Sequence, residues 1–276
     1  MEQKLRIINS LKNEFSGRFR KFFSYDRHNI KLEKFFDDSE DIREFKKECF
    51  IKLNDLKLNQ TTLNKCLLEA RDLFSKIQNS KEKTVYKKIL GSEYFSVDSH
   101  LLKIALHENI LKILLNYFGT RAILFDLRLL YSENNEGIEI NRDQLWHRDK
   151  YDDKSVRLWI TLTDCAIEHG PLQYLPRIIS NFFFRSYVGR VDDKYIEKKM
   201  YNNHIQFLTG KAGDISLIDV HKLVHCGSRI QKGFNRIVFN AIYTSSKPWK
   251  KPSLNINLKN ELLKKNLSEL QKKFLY

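Results

Sequence analysis

The sequence predicts an α+β chain with a mainly β core, a helical N-terminal region and a C-terminal helix. Three patterns carry that prediction. Through residues 1–119 apolar side chains recur at helical spacing. From 120 to 246 they change to short β-branched and aromatic runs broken by turn residues. From 247 to 276 helical spacing returns in a lysine-rich tail. Strands that follow one another without helices between them imply antiparallel sheets, closed into a sandwich or a barrel. The three regions are expected to form a single domain over 1–276.

In the first region Leu63, Leu67, Ala70, Phe74 and Ile77 form a stripe after the possible cap Thr61. A second helix is expected from Asp98 or Ser99 to Gly119, carrying Leu101, Leu102, Ala105, Ile110, Ile113 and Leu114. These stripes read as core faces. The expected strands are Ala122–Tyr131, Val156–Thr163, Leu172–Leu175, Ile215–Asp219 and Arg236–Thr244. Asn134-Asn135-Glu136-Gly137, His169-Gly170-Pro171 and Lys211-Ala212-Gly213-Asp214 separate them as turns. Residues 177–210, with Phe182-Phe183-Phe184, interrupt the strands as either a lid or a surface excursion. In the tail Leu263, Leu267, Leu270 and Phe274 form a stripe that should pack on the domain or on a partner.

Composition narrows the function classes. With 42% hydrophobic residues and 276 residues, one sizeable core can form. Ten Gly and four Pro are too few for a disordered or fibrous chain. No apolar run approaches the roughly 18–20 residues of a membrane span, and the charged opening does not read as a signal peptide. The four cysteines, Cys49, Cys66, Cys165 and Cys226, form no CxxC pair, so a zinc knuckle or thiol redox site is not indicated. A cytoplasmic location is expected. The formal charge of +15 suits an anionic small substrate, nucleic acid or anionic lipid. No Lys/Arg run reads as a nucleic-acid arm, so nucleic acid is disfavoured.

The chemistry concentrates in Gln144-Leu145-Trp146-His147-Arg148-Asp149. In extended chain, residues two apart face the same side, so His147 and Asp149 can hold one metal ion together. A third ligand must come from far along the chain. His225 is placed for it, after the strand that follows Gly213-Asp214; His221 is its rival. Two imidazoles and a carboxylate on one face leave the other face open, as in non-haem Fe(II) oxygenases. The open positions would take O₂ and the chelating cosubstrate 2-oxoglutarate. Its far carboxylate needs a cation whose fork matches two oxygens. Arg236, eleven residues after His225 and opening an apolar strand, is the candidate, with Arg229 competing.

Gln144–Pro176 and Gly213–Tyr243 resemble the phytanoyl-CoA dioxygenase family. The shared features are Trp146-His147-x-Asp149, a strand with Trp159, the turn Gly170-Pro171-Leu172, a Gly213-Asp214 strand, His225-x-Gly227 and Arg236. The resemblance covers about 120–245. It implies a double-stranded β-helix, a cupin-like jelly-roll, and Fe(II), 2-oxoglutarate and O₂ as metal, cosubstrate and oxidant. It implies His147, Asp149 and His225 as iron ligands, Arg236 on the 5-carboxylate, and Trp159 and Gln144 facing the cosubstrate. Two departures stand out. The family's Pro-Gly-Ser-His is Pro176-Arg177-Ile178-Ile179 here, and the run from Asp214 to His225 is one residue longer.

Related halogenases replace the metal-binding carboxylate with a small residue. Asp149 is retained, which favours hydroxylation with release of succinate and CO₂. The expected substrate is a small or carrier-linked molecule, with the basic charge favouring an anionic one. Lys150, Tyr151, Asp152 and Asp153 follow the ligand pair and either touch substrate or form a solvated loop. Two other readings stay open: an oxygenase of the same metal class acting on nucleic acid, and a non-oxidative metal-binding jelly-roll.

Overall fold

A computed structural model describes residues 39–75, 87–134, 142–185 and 189–275. Among these, two antiparallel sheets face each other. Strands β1 (Phe50–Lys52), β7 (Ile215–Asp219), β4 (Ser155–Thr161), β9 (Asn235–Ser245), β3 (Ala122–Glu133) and β2 (Lys87–Leu90) form the major sheet, in that order. The minor sheet runs β6 (Gln206–Leu208), β5 (Leu172–Tyr174) and β8 (His225–Gly227). This is the double-stranded β-helix, left as an open roll with edge strands rather than a closed barrel.

The major sheet is two-faced because its strands alternate. On β4, Val156, Leu158 and Ile160 point into the apolar core. Arg157 and Trp159 point into the cavity between the sheets. On β9 Phe239 meets Phe95, and Tyr243 meets Phe274, while Arg236, Val238 and Asn240 line the cavity. On β3 Leu127 and Leu129 are fully buried; Arg128, Leu130 and Ser132 line the cavity. The pairing sets these residues side by side: Arg128 opposite Asn240 opposite Trp159, and Ser132 opposite Arg236.

Helices cover the apolar face. They are α1 (Glu40–Glu48), α2 (Gln60–Ser75), α3 (His100–Ala105), α4 (Glu108–Phe118), α7 (Ile256–Leu263) and α8 (Glu269–Leu275). Helix α2 is capped by Asn59, whose side chain accepts from the Thr62 amide, two residues before the expected Thr61. Its buried stripe is Leu63, Cys66, Ala70 and Leu73, with Leu67 and Phe74 beside it. Ile77 lies outside the described residues. The helix expected from Ser99 to Gly119 is two helices. Ser99 caps the first and Gly119, at φ +66°, ends the second. The break at Leu106-His107 carries no Gly or Pro, and apolar spacing continues across it, so nothing in the residue pattern marks it.

The tail also divides in two. Leu258 and Leu262 on α7, and Leu270, Phe274 and Leu275 on α8, are buried. Gln271 Nε2 donates to the Leu106 carbonyl at 2.9 Å, so the tail packs on its own chain. The segment 177–210 is an excursion with structure. It holds α5 (Arg177–Arg185), α6 (Asp193–Lys198) and β6. Val191 and Ile196 join Leu175, Val224 and Cys226 around the fully buried Trp146. This small second core lies behind the minor sheet. The turn at 135–137 lies outside the described residues. No described helix is long and apolar enough to cross a membrane.

Candidate metal centre

The minor sheet brings the two histidines together through backbone. β5 uses one edge of β8; the other edge pairs with His147. His147 N–H donates to the His225 carbonyl at 2.9 Å, and His225 N–H returns the bond at 2.9 Å. Their rings lie 4.5 Å apart between centroids. Two residues on, the chain reaches the major sheet, where Asp149 N–H donates to the Val220 carbonyl at 2.9 Å. One extended segment thus bridges both sheets and aims His147 and Asp149 at His225. Ligand atoms of all three lie within 4.8 Å of one another.

Each imidazole is oriented by its own backbone. Nδ1–H of His147 donates to the Leu145 carbonyl at 2.6 Å, and Nδ1–H of His225 to the Leu223 carbonyl at 3.0 Å. A carbonyl can only accept, so Nδ1 carries the proton and Nε2 keeps its lone pair. His147 Nε2 faces Asp149 Oδ1 at 3.5 Å. Burial, and then the neighbouring His147, push the His225 pKa down to about 3, so its ring is neutral and ready to ligate. Burial opposes ionisation of Asp149. The Arg157 guanidinium beside it outweighs burial and holds the carboxyl well below its usual range.

His221 is not in this cluster. Its Nδ1 hydrogen-bonds the Asp149 carbonyl at 2.9 Å, and its ring packs edge-on to Trp249. It steadies the backbone of Asp149. Of the two candidates, His225 lies in the cluster and His221 does not; between β7 and His225 the chain turns at 219–223, where the Lys222 and Leu223 amides donate to the Asp219 carbonyl.

The cluster opens on a cavity of about 120 Å³ between the sheets. Arg236, 9% exposed, and Trp159, 5% exposed, line it, with the guanidinium 6.0 Å above the indole ring. Gly227 sits beside them. A Cβ there would make ordinary contacts, 3.9 Å from Arg236 Nη2 and 3.5 Å from the Asp143 carbonyl. Gln144 is buried, but the cavity is lined by its neighbour Asp143; the Gln144 carbonyl accepts from Arg229 at 3.5 Å. Arg229 pairs instead with Asp193 at 2.9 Å.

Tyr151 lines the cavity, whereas Asp152 is fully buried and accepts from the Ser245 and Asp153 amides. Sequence reading missed Arg128, Arg157, Arg190 and Asn240. Alternation from Trp159 was a signal for Arg157, two residues earlier on the same strand. For Arg190 the sequence held no signal, because strand pairing with Trp146 places its neighbour Val191.

Fold and cluster define a class: a double-stranded β-helix presenting two imidazoles and one carboxylate to a cavity between its sheets. Known structures share the fold. The chain is similar to the non-haem α-ketoglutarate-dependent carbocyclase SnoK from nogalamycin biosynthesis, with TM-score 0.56, 15% identity, and 81% of this chain and 91% of that one covered. It is similar to the epimerase SnoN in complex with Fe³⁺, α-ketoglutarate and nogalamycin RO, with TM-score 0.55, 15% identity and coverage of 79% and 88%. EctD from S. alaskensis with 2-oxoglutarate and 5-hydroxyectoine gives TM-score 0.57, 17% identity and 80% of each chain. No protein-family model and no curated protein matches the sequence.

Proposed function

We propose that the chain is an Fe(II)- and 2-oxoglutarate-dependent oxygenase, and that it hydroxylates a small or carrier-linked anionic substrate. One observation carries the proposal: the three-donor cluster and a buried arginine line the same cavity. The donor set fits iron. Two neutral imidazoles and one carboxylate, gathered on one side, match the ligand type and count of that centre. The neighbours of the same fold include proteins solved with Fe³⁺ and α-ketoglutarate, or with 2-oxoglutarate.

In this reading His147, Asp149 and His225 hold the metal. Arg236 takes the distal carboxylate of 2-oxoglutarate, with Trp159 beneath the guanidinium. Gln144 supports the segment bearing the first ligand. Iron with 2-oxoglutarate supplies oxidation by O₂, coupled to loss of CO₂ and formation of succinate. The protein orients the reactants and excludes water with its apolar walls, Leu130, Leu172 and Val238. Four arginines line the cavity against two aspartates, Asp143 and Asp149. Three of these arginines already face carboxylates, Arg128 at Asp126, Arg157 at Asp149 and Arg190 at Asp143, so the support for an anionic substrate is the chain's overall charge of +15.

The phytanoyl-CoA dioxygenase branch is the proposed home, supported by the motifs Trp146-His147-x-Asp149, Gly170-Pro171-Leu172, His225-x-Gly227 and Arg236, of which His147, Asp149, Leu172, His225, Gly227 and Arg236 line the cavity. Gly170 supports it physically. It adopts φ +67°, and a Cβ there would lie 2.5 Å from the Ile230 side chain. The four cysteines are all free and buried, which suits the proposed reducing cytoplasm.

Anaerobic titration tests the proposal. Fe(II) plus 2-oxoglutarate should give a weak visible charge-transfer band, absent in His147→Ala and weakened in Arg236→Ala. A protein that binds metal but gives no band is a non-oxidative jelly-roll.

A further inference from the structure

The cavity face of β4 presents Arg157 directly to Asp149. Its Nη2 donates to Asp149 Oδ2, while Oδ1 of the same carboxylate faces His147 Nε2 at 3.5 Å. The arginine side chain is 15% exposed and the aspartate 10%. The backbone of Asp149 is fixed as well, through Val220 on its N–H and His221 on its carbonyl. Main chain and one carboxylate oxygen are therefore both held. Only Oδ1 remains directed at the two imidazoles.

That arrangement has a cost. A guanidinium beside a divalent ion repels it, so an arginine here works against metal affinity. Plain packing does not call for it either, because well-packed apolar side chains often serve a buried position at least as well as an ion pair. What the contact does achieve is denial of one oxygen. Carboxylates bind metals through one oxygen or two, and the second would occupy a position that a chelating cosubstrate needs.

We infer that Arg157 is a positioning residue that keeps Asp149 a single-oxygen ligand and so holds open the metal position for the cosubstrate. The inference rests on the metal reading above. It makes a prediction that a merely structural arginine does not: loss of the guanidinium should separate metal binding from cosubstrate binding.

The test uses the full chain loaded with Co(II), read by visible absorption, and titrated with 2-oxoglutarate. Arg157→Gln should keep Co(II) affinity at or above that of the wild type. Its cobalt spectrum should change, and 2-oxoglutarate should bind about tenfold or more weakly. Arg157→Lys, which keeps a point charge without the planar fork, should fall between the two. Circular dichroism confirms folding, and the Lys variant carries the test if the Gln variant fails to fold. A wild-type spectrum with wild-type cosubstrate affinity in Arg157→Gln would overturn the inference. So would parallel loss of Co(II) and 2-oxoglutarate, since Arg157 would then build the site rather than steer one oxygen. A wild-type chain with no cobalt band would instead sink the metal reading itself.

Discussion

The two sheets do different work. The major sheet has six strands, two of them eleven and twelve residues long, and rests on a core shared with six helices. The minor sheet has three strands of three residues each, backed by a small cluster around Trp146. Yet the minor sheet carries His225 and pairs with His147. The larger sheet contributes Arg128, Arg157, Arg236, Trp159 and the apolar side chains Leu130 and Val238. Burial of apolar surface concentrates stability in one sheet, while the other offers a short edge where the two proposed ligands are set by main-chain bonds.

That contrast can be broken most sharply by pairing Phe239→Ala with His225→Ala. The first removes a fully buried ring from the major sheet and should cost about 3–5 kcal/mol in urea melts, with metal affinity nearly kept in the folded protein. The second should leave stability nearly intact and lower cosubstrate-dependent turnover on the order of a thousandfold. Equal stability losses would refute the division of labour. Leu175→Ala, in the minor core, should cost about 2 kcal/mol and also weaken Co(II) binding, because the Leu175 side chain packs with Val224 and Cys226, the residues on either side of His225.

Acid sharpens the contrast further. His225 stays neutral in the fold down to about pH 3, whereas in the unfolded chain it takes a proton near pH 6.5. The unfolded state then binds more protons between those values. Stability of the metal-free protein should fall as pH drops from about 6.5 toward 3. Asp149, depressed in the fold, adds a loss at the lower end, below the usual carboxylate range. Melts of His225→Asn should show a flatter pH dependence; an unchanged slope would place the effect elsewhere. The smallest effect is expected for Trp146→Phe, which removes the indole bond to Asp193 at 2.8 Å and should cost about 1 kcal/mol by thermal melting.

The same contrast explains what the sequence made legible. Strands β3, β4, β7 and β9 are long or strongly β-branched, and their positions were readable within two residues. Strands β1, β2, β6 and β8 have three or four residues, too few for periodicity to register, and were missed. At the site, His147 and Asp149 were readable because both lie on one extended run. Preferring His225 over His221 rested on the family resemblance; in the structure pairing with His147 brings His225 into the cluster, while His221 is held on the Asp149 carbonyl. Arg157 went unread because its partner lies across a turn, a relation that strand alternation suggests only once Trp159 is known to face the cavity.

The reciprocal bonds between His147 and His225 have one more consequence. They fix ligand spacing by strand register, before any ion arrives. A slip of one residue would turn Trp146 or Arg148 inward and erase the centre altogether. With register intact, the donors wait in place. Emptying and refilling the centre then requires no refolding, so a chelator should strip the protein to a stable, reloadable shell rather than denature it.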